Sequence, residues 1–287
     1  MLVKRIAVAT MAAAGIAASV VGSPADTSSA VKPVATSVPA FDHVVLVMFE
    51  NKKYSSIDGS SSASYFNQLA AQSAKFTKSF GITHPSQPNY VALFSGSTQG
   101  VEDDACPMNL GAKENLATQL AGLGKSFAGY SEAMPSEGYT GCSSGTYRRK
   151  HNSWVDFSNV PSSSNRRFSS FPSDFTTLPD VAFVTPDMCN DMHDCSIGTG
   201  DSWLKKNLDA YAKWATTHNS LLIVTFDEDS GTSVNQIFTT LTGAHVKPGS
   251  YSESINHYTV LRTIEAAHGL PGIGSAAQKS PILDVWQ

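Results

Sequence analysis

HVVLVMFEN, residues 43–51, is a run of apolar residues that ends abruptly in an acid and an amide, Glu50 and Asn51. A second run of the same kind, LLIVTFDED at 221–229, ends in three acids. Short apolar runs with polar borders are typical of strands that are buried on both faces of a parallel sheet. Ligands of open α/β sheets bind beyond the carboxyl ends of the strands, so we expect the polar ends of these two runs to meet at one place.

The rest of the chain alternates between strand-like and helix-like patterns. Apolar residues spaced three or four apart predict helices at 65–74, 115–123, 201–217 and 258–268. Further strands are predicted at 127–130 and 181–184. Asp201 is expected to be the N-cap of the third helix. The alternation predicts an α/β fold with a largely parallel central sheet and helices on both faces.

The amino terminus has the pattern of a secretory signal peptide. Lys4 and Arg5 precede an apolar stretch at 6–21, and small residues follow it. A membrane anchor is the alternative, but this stretch is shorter than the roughly 20 residues that a spanning helix needs. We therefore predict a signal peptide at 1–30, a flexible leader at 31–40, one catalytic domain at 41–287, and a secreted protein without a stable membrane anchor.

Composition limits the partners of the protein. With 287 residues, 41% of them hydrophobic, the chain can bury a full core. The net charge is −4 and stays negative once Lys4 and Arg5 are removed, which gives no electrostatic reason to bind nucleic acid. No protein partner is evident.

The four cysteines fall into two neighbourhoods, and export permits disulfides. We predict the pairs Cys106–Cys142 and Cys189–Cys195, although four cysteines allow three connectivities. The alternative for the second neighbourhood is a zinc site that also includes His193.

Several polar groups after the apolar runs are of the types that bind hard divalent cations, which are carboxylates, amide oxygens and imidazoles. They are Glu50, Asn51, Asp227, Glu228, His193 and His257. The segment THPSQPNY, 83–90, adds a hydroxyl, because Pro85 and Pro88 restrict the backbone around Ser86. A metal ion would activate that hydroxyl as a nucleophile. The alternative is a proline-rich turn with a capping serine, and Asn89 is expected to begin the next helix.

Five segments follow one another along the chain. They are a strand ending in Glu-Asn, THPSQPNY, NDMHD at 190–194, a strand ending in FDE, and NHY at 256–258. With these segments the chain resembles the bacterial and fungal phosphoesterase family of secreted acid phosphatases and non-haemolytic phospholipases C, a branch of the alkaline phosphatase superfamily. The resemblance runs from about residue 43 to the carboxyl terminus. It implies an alkaline-phosphatase-like fold.

The resemblance also implies roles for single residues. It implies that Ser86 is the nucleophile and that His193 and His257 lie beside the phosphate as ligands or general acids. It implies that His151 and Asn152 contact the substrate; the alternative is that their segment is a basic turn on the surface. Asn89 is also predicted to contact substrate. The implied metal ligands are Glu50, Asn51, Ser86, Asp227, Glu228 and, as ligand or orienting group, Asp191.

The sequence thus predicts a secreted, metal-dependent phosphoric ester hydrolase, an acid phosphatase that acts on a small phosphate ester. The alternatives are a phospholipase C or phosphodiesterase acting on phospholipid head groups, a metal-independent serine hydrolase, and a non-catalytic protein that binds phosphate or a polymer. The divalent metal ion is not identified by the sequence, because oxygen ligands suit calcium, magnesium or manganese and histidines favour zinc or iron.

Overall fold

The structure is a computed structural model that describes residues 1–2 and 37–287. The predicted signal peptide lies outside the described residues apart from its first two, and so does most of the predicted leader. Val38, which the prediction places in that leader, is buried in the core with 8% of its surface exposed. The packed domain therefore includes residues before position 41. Within the described residues, no helix is long and apolar enough to span a membrane.

Strands and helices alternate through the first half of the chain and again near its end. The strands are β1 (His43–Phe49), β2 (Ala74–Phe80), β3 (Phe127–Ser131), β4 (Ser143–Ser144), β5 (Tyr147–Arg148), β6 (Asn165–Arg167), β7 (Val181–Thr185), β8 (Ser220–Phe226), β9 (Gln236–Gly243) and β10 (Gly249–Asn256). The helices are α1 (Tyr54–Ile57), α2 (Ser64–Ala70), α3 (Ser86–Ser95), α4 (Leu116–Gly122), α5 (Ile197–Ala215) and α6 (His257–Ala267). Short 3-10 helices, several of them between β5 and β7, occupy Ser61–Ala63, Arg149–His151, Ser153–Asp156, Ser162–Ser164, Phe168–Ser170, Phe175–Thr177 and Gly274–Gln278.

Eight strands form one sheet in the order β10-β2-β9-β8-β1-β7-β3-β6, while β4 and β5 form a separate antiparallel pair. Every neighbouring pair in the large sheet is parallel except the two pairs that include β9. The prediction of a largely parallel sheet is confirmed. Strand β1 pairs with β8 in a register that sets Phe49 opposite Phe226. Glu50 and Asp227 therefore leave the sheet side by side.

The two faces of the sheet bury separate cores. Side chains of a strand alternate between faces, so Leu46 and Met48 alternate with Val47 and Phe49. Helices α3, α4 and α6 contribute buried residues to the first core, and α1, α2 and α5 contribute to the second. Helices cover both faces, as predicted.

Asp201 has a different role from the predicted one. Helix α5 begins at Ile197, and Ser196 is its N-cap. Asp201 lies one turn inside α5, where its Oδ1 accepts hydrogen bonds from the backbone N–H groups of Tyr65 (2.8 Å) and Phe66 (2.9 Å). The carboxylate thus caps the free N–H groups at the amino end of α2 from a neighbouring helix.

Both predicted disulfides are present, Cys106–Cys142 and Cys189–Cys195. The alternative of a zinc site at Cys189, His193 and Cys195 is wrong, because both thiols are consumed in a disulfide bond.

Candidate active site

The candidate site lies at the carboxyl ends of β1 and β8. Four acids are buried there: Glu50, Asp227, Glu228 and Asp229. Glu50 and Asp227 have no exposed surface. Asn51 turns the chain after β1 in a left-handed conformation (φ 57°), which asparagine adopts more readily than most residues. Its backbone N–H donates to Asp227 Oδ1 at 3.0 Å. This turn fixes the two acidic strand ends against each other.

Helix α3 presents a hydroxyl to this cluster. Ser86 is its first residue and is buried, and its Oγ donates to Glu50 Oε2 at 2.9 Å and lies 3.5 Å from Glu228 Oε1. One turn later on the same face, the Tyr90 hydroxyl donates to Glu50 Oε1 at 2.5 Å. The two hydroxyls therefore hold both oxygens of one buried carboxylate.

Asn89 supports the start of α3 and neither begins the helix nor offers a free group to substrate. Its Oδ1 accepts from the backbone N–H groups of Ile82 and Thr83 at 2.8 and 3.1 Å. Its Nδ2 donates to the carbonyls of Thr83 and Pro85 at 2.9 and 3.1 Å. Because both amide hydrogens are used, the prediction of a substrate contact is replaced by a role in shaping the loop before Ser86.

His151 lies among the acids. Its Nε2 is 3.2 Å from Glu50 Oε1, and its Nδ1 is 3.4 Å from Asp191 Oδ2. One atom from each of these three buried side chains lies within 4.8 Å of the other two. The Tyr90 ring stacks on the imidazole with ring centroids 5.1 Å apart. The resemblance suggested a phosphate contact for His151, whereas this geometry suits a metal ligand equally well.

Asn152 is buried and bonded to residues of two strands. Its Oδ1 accepts from Ser131 Oγ at 2.7 Å, and its Nδ2 donates to the Arg148 carbonyl at 3.1 Å. These bonds connect the end of β5 and the turn after it to the end of β3. Asn152 thus has a supporting role in the structure, and its substrate contact stays a prediction.

The two other predicted histidines have different surroundings. His193 is partly exposed, and its Nδ1 lies 2.7 Å from Asp194 Oδ1. His257 is buried, with Nε2 2.6 Å from the Asp227 carbonyl, so Nε2 carries the hydrogen. Its Nδ1 has no partner among the described residues. Burial lowers the pKa of His257 to about 4, so its Nδ1 offers a lone pair to a ligand instead of a proton to a leaving group.

Sequence reasoning gave no role to His84. Its Nδ1 lies 2.5 Å from Glu228 Oε2 and its Nε2 3.0 Å from the Thr232 carbonyl. Burial lowers the pKa of His84, but these hydrogen bonds and the charge of Glu228 outweigh burial and raise the pKa above its usual value. His84 thereby fixes the orientation of the carboxylate that faces Ser86.

The electrostatics of the cluster fit a bound cation. Burial, followed by the charges of Asp227 and Asp191, raises the pKa of Glu50 well above its usual value. Burial and the Asp227 charge raise the pKa of Glu228 to about 7. Oxygens of Asp191 and Asp227 have no hydrogen-bond partner among the described residues. Buried carboxylates that repel one another and leave oxygens unpaired can hold a divalent metal ion.

Comparison with known proteins identifies the family. A model of the Phosphoesterase family matches residues 59–271, most of the chain. The chain belongs to the Phosphoesterase family.

Relatives of this phosphoesterase are phosphatases. It is 48% identical to the phosphatidylinositol-3-phosphatase of Mycobacterium tuberculosis over 99% of its own length and 94% of that protein. It is 32% identical to the phosphate-repressible acid phosphatase of Penicillium chrysogenum over 82% of its own length and 61% of that enzyme. The chain spans about three fifths of the length of the fungal acid phosphatases that it matches. This phosphoesterase is a phosphoric ester hydrolase.

The fold is that of the alkaline phosphatase superfamily. A member of that superfamily from Vibrio parahaemolyticus matches with a TM-score of 0.60 at 12% identity, covering 87% of this chain and 72% of that one. The lipoteichoic acid synthase LtaP from Listeria monocytogenes matches with a TM-score of 0.55 at 8% identity, covering 83% of this chain and 76% of that one. At these identities the likeness concerns the fold alone.

Proposed function

We propose that this phosphoesterase is a secreted, metal-dependent phosphomonoesterase in which Ser86 is the nucleophile. The observation that carries the proposal is the position of Ser86 Oγ, 2.9 Å from Glu50 Oε2 at the start of α3 and at the edge of the buried acidic cluster. A serine in this position is held by its neighbours and faces the strand ends where ligands bind.

The proposed metal ligands include those implied by the family resemblance, together with His151. They are Glu50, Asn51, Ser86, Asp191, Asp227, Glu228 and His151. When bound, a divalent ion would supply positive charge to the phosphoryl oxygens and lower the pKa of the serine hydroxyl.

The residues of the chain account for the two chemical steps. The hydroxyl proton of Ser86 leaves along its hydrogen bond to Glu50 Oε2. Ser86 Oγ then forms a bond to phosphorus as the bond from phosphorus to the leaving oxygen breaks, and protonated His193 gives that oxygen its proton. His193, now neutral, takes a proton from a water molecule. The water oxygen bonds to phosphorus as the bond from phosphorus to Ser86 Oγ breaks, and Glu50 returns its proton to Ser86 Oγ, which leaves inorganic phosphate and free serine. His193 suits the acid role better than His257, because it is partly exposed and bonded to the Asp194 carboxylate.

The names of the relatives support monoesters over diesters. The fungal relatives are named acid phosphatases, and the M. tuberculosis relative is named for removing a phosphate from an inositol lipid. An acid phosphatase acting on small esters is therefore our first proposal, and the 3-phosphate of phosphatidylinositol is a second substrate. Phospholipase C activity remains the alternative that the experiment below tests.

Secretion is supported by the signal pattern and by the two disulfides, since disulfides persist in oxidising compartments. The proposed boundaries remain 1–30 for the signal peptide and 41–287 for the catalytic domain, with the packed residues around Val38 added to that domain.

The test uses p-nitrophenyl phosphate, p-nitrophenyl phosphorylcholine and phosphatidylinositol 3-phosphate, with and without a chelator. We expect chelator-sensitive release of phosphate from the two monoesters only. Ser86→Ala should lower kcat by about a thousandfold or more. Ser233→Ala, at an exposed serine of the loop after β8, should retain full activity. Undiminished turnover by Ser86→Ala would refute the covalent step, and turnover of the phosphorylcholine ester would indicate a phosphodiesterase.

A further inference from the structure

An ion pair stands beside the proposed nucleophile without a part in the steps above. Lys150 Nζ lies 2.7 Å from Asp104 Oδ2, and the other oxygen of Asp104 accepts a hydrogen bond from the backbone N–H of Gln87 at 2.9 Å. Gln87 follows Ser86 in the first turn of α3. One carboxylate thus bridges a lysine and an amide at the amino terminus of the helix that carries the nucleophile.

The lysine is held close to the acidic cluster. It precedes His151, whose Nε2 lies 3.2 Å from Glu50 Oε1. It follows Arg149, whose guanidinium is bound to Asp156 at 2.9 Å and to the carbonyls of Thr140 and Met108 at 2.8 and 2.6 Å. The backbone of Lys150 therefore cannot move far from Ser86.

The donors in this pair are those that recognise phosphate. An ammonium group and a helix-terminal N–H together bind an anion that has several oxygens. The buried acids around Ser86 repel a phosphate ester, and the positive charge of Lys150 offsets part of that repulsion. In the structure these donors bind the Asp104 carboxylate, an anion of similar geometry.

Asp104 is able to leave. Its side chain is 29% exposed, whereas that of Lys150 is 16% exposed. It lies two residues before Cys106, so the Cys106–Cys142 disulfide holds the loop near the site while the side chain rotates. A substrate phosphate carries more negative charge than a carboxylate and competes for the same donors.

We propose that Lys150 and the Gln87 backbone N–H form a subsite for the phosphate oxygens of the substrate, and that the Asp104 carboxylate occupies this subsite until phosphate displaces it. The inference rests on the proposed function insofar as Ser86 is the nucleophile. It makes Lys150 a catalytic residue and Asp104 an internal competitor that weakens binding of inorganic phosphate, the product.

The experiment measures binding of inorganic phosphate to the purified full-length mature protein by titration calorimetry. Asp104→Ala should bind phosphate about tenfold more tightly if the carboxylate occupies the subsite for about nine tenths of the time. Lys150→Met should bind it about tenfold or more weakly, because a charge-assisted hydrogen bond is lost. The control is Glu102→Ala, which makes the same change in net charge at an exposed residue with no side-chain hydrogen bond among the described residues, and its affinity should not change.

Opposite shifts for the Asp104 and Lys150 variants would support the subsite. Weaker binding in both variants would overturn the competition, because Asp104 would then position the lysine. Unchanged binding in both, or no phosphate binding by the unaltered protein, would overturn the subsite. Turnover of p-nitrophenyl phosphate by Ser86→Ala is measured in parallel. If Ser86→Ala is inactive but the Asp104 and Lys150 variants bind phosphate as the unaltered protein does, only the subsite is wrong. If Ser86→Ala is active, the proposed nucleophile is wrong.

Discussion

Tyr90 shows how much of the candidate site depends on single hydroxyl groups. Its ring stacks on His151, and its hydroxyl holds one oxygen of Glu50 while Ser86 holds the other. Burial and the nearby charge of Glu50 raise the pKa of Tyr90 well above its usual value, so the hydroxyl stays protonated and remains a donor. The residue is thus placed to position Glu50 without contacting substrate.

Tyr90→Phe keeps the stacked ring and removes the hydroxyl. We expect kcat for p-nitrophenyl phosphate to fall about tenfold to a hundredfold with little change in KM, since a charged hydrogen bond worth about 1.5–3 kcal/mol would be lost from Glu50. Steady-state kinetics of this variant check the prediction. The matched control is Tyr54→Phe, which removes a hydroxyl bonded to Asp58 and should leave kcat unchanged. Equal kinetics for both variants would show that Tyr90 only fills space.

The residues of the candidate site could be predicted from the sequence where an acidic residue directly follows an apolar strand. Glu50 and Asp227 could be found because each comes directly after a continuously apolar run. The position of His151 beside Glu50 was harder to predict. The 3-10 helix that carries His151 lies in a segment whose apolar residues do not recur at the spacing of a helix or a strand. Tyr90 did carry a signal, because it lies four residues after Ser86 and shares its face once the helix is known to begin at Ser86.

Among the elements, strands with continuously apolar sequences were predicted, whereas strands with polar residues among the apolar ones, such as the buried β9, were missed. Strands β1 and β8 have nearly continuous apolar sequences, and the structure confirms both. Strand β10, GSYSESIN, lies at the sheet edge with few buried residues, and its polar sequence looks like a loop. Helix α2 ends at Ala70, four residues before the predicted end, because the chain enters β2 at Ala74. The spacing of apolar residues in a short segment does not show whether a strand lies at the sheet edge or which distant strands it pairs with.

The packing of α2 against α5 gives a prediction at the scale of elements. Asp201→Ala removes the carboxylate that caps α2 and leaves two buried backbone N–H groups without an acceptor. We expect the free energy of unfolding to fall by about 2–4 kcal/mol. Urea denaturation measures this fall, and Ser196→Ala, which removes the exposed cap of α5, should cost only about 1 kcal/mol. If both variants lose the same free energy of unfolding, Asp201 does not cap α2 from α5.

At the scale of the whole molecule, His268 makes folding sensitive to acid. It follows α6 with 5% of its surface exposed, and neither ring nitrogen has a partner among the described residues. Burial, followed by the charge of Lys125, lowers the pKa of His268 to about 4, although Asp180 opposes the shift. The unfolded chain takes up a proton below about pH 6.5, whereas the folded protein takes it up only near pH 4.

The stability contributed by neutral His268 is therefore fully present above about pH 6.5 and is lost as the pH falls toward 4, by up to about 3 kcal/mol. Urea unfolding at a series of pH values tests this expectation. His268→Gln should have a flatter stability profile across that window than the unaltered protein. His218→Gln, at an exposed histidine, should keep the original profile. Parallel profiles for the His268 variant and the unaltered protein would show that this group does not titrate on unfolding.

The two disulfides should contribute unequally to the stability of the whole chain, because they restrict the unfolded state by different amounts. Cys106–Cys142 joins residues 36 apart in sequence, whereas Cys189–Cys195 joins residues 6 apart. Loop-closure entropy predicts a loss of about 4 kcal/mol when the first pair is replaced by serines and about 2 kcal/mol for the second. Urea unfolding of the two double variants measures these losses. The longer loop also ties the segment of Asp104 to the strand pair β4–β5, so its removal should cost activity as well as stability. If the shorter bridge proves the more costly to remove, contacts in the folded protein around Cys189 outweigh the entropy of the unfolded chain.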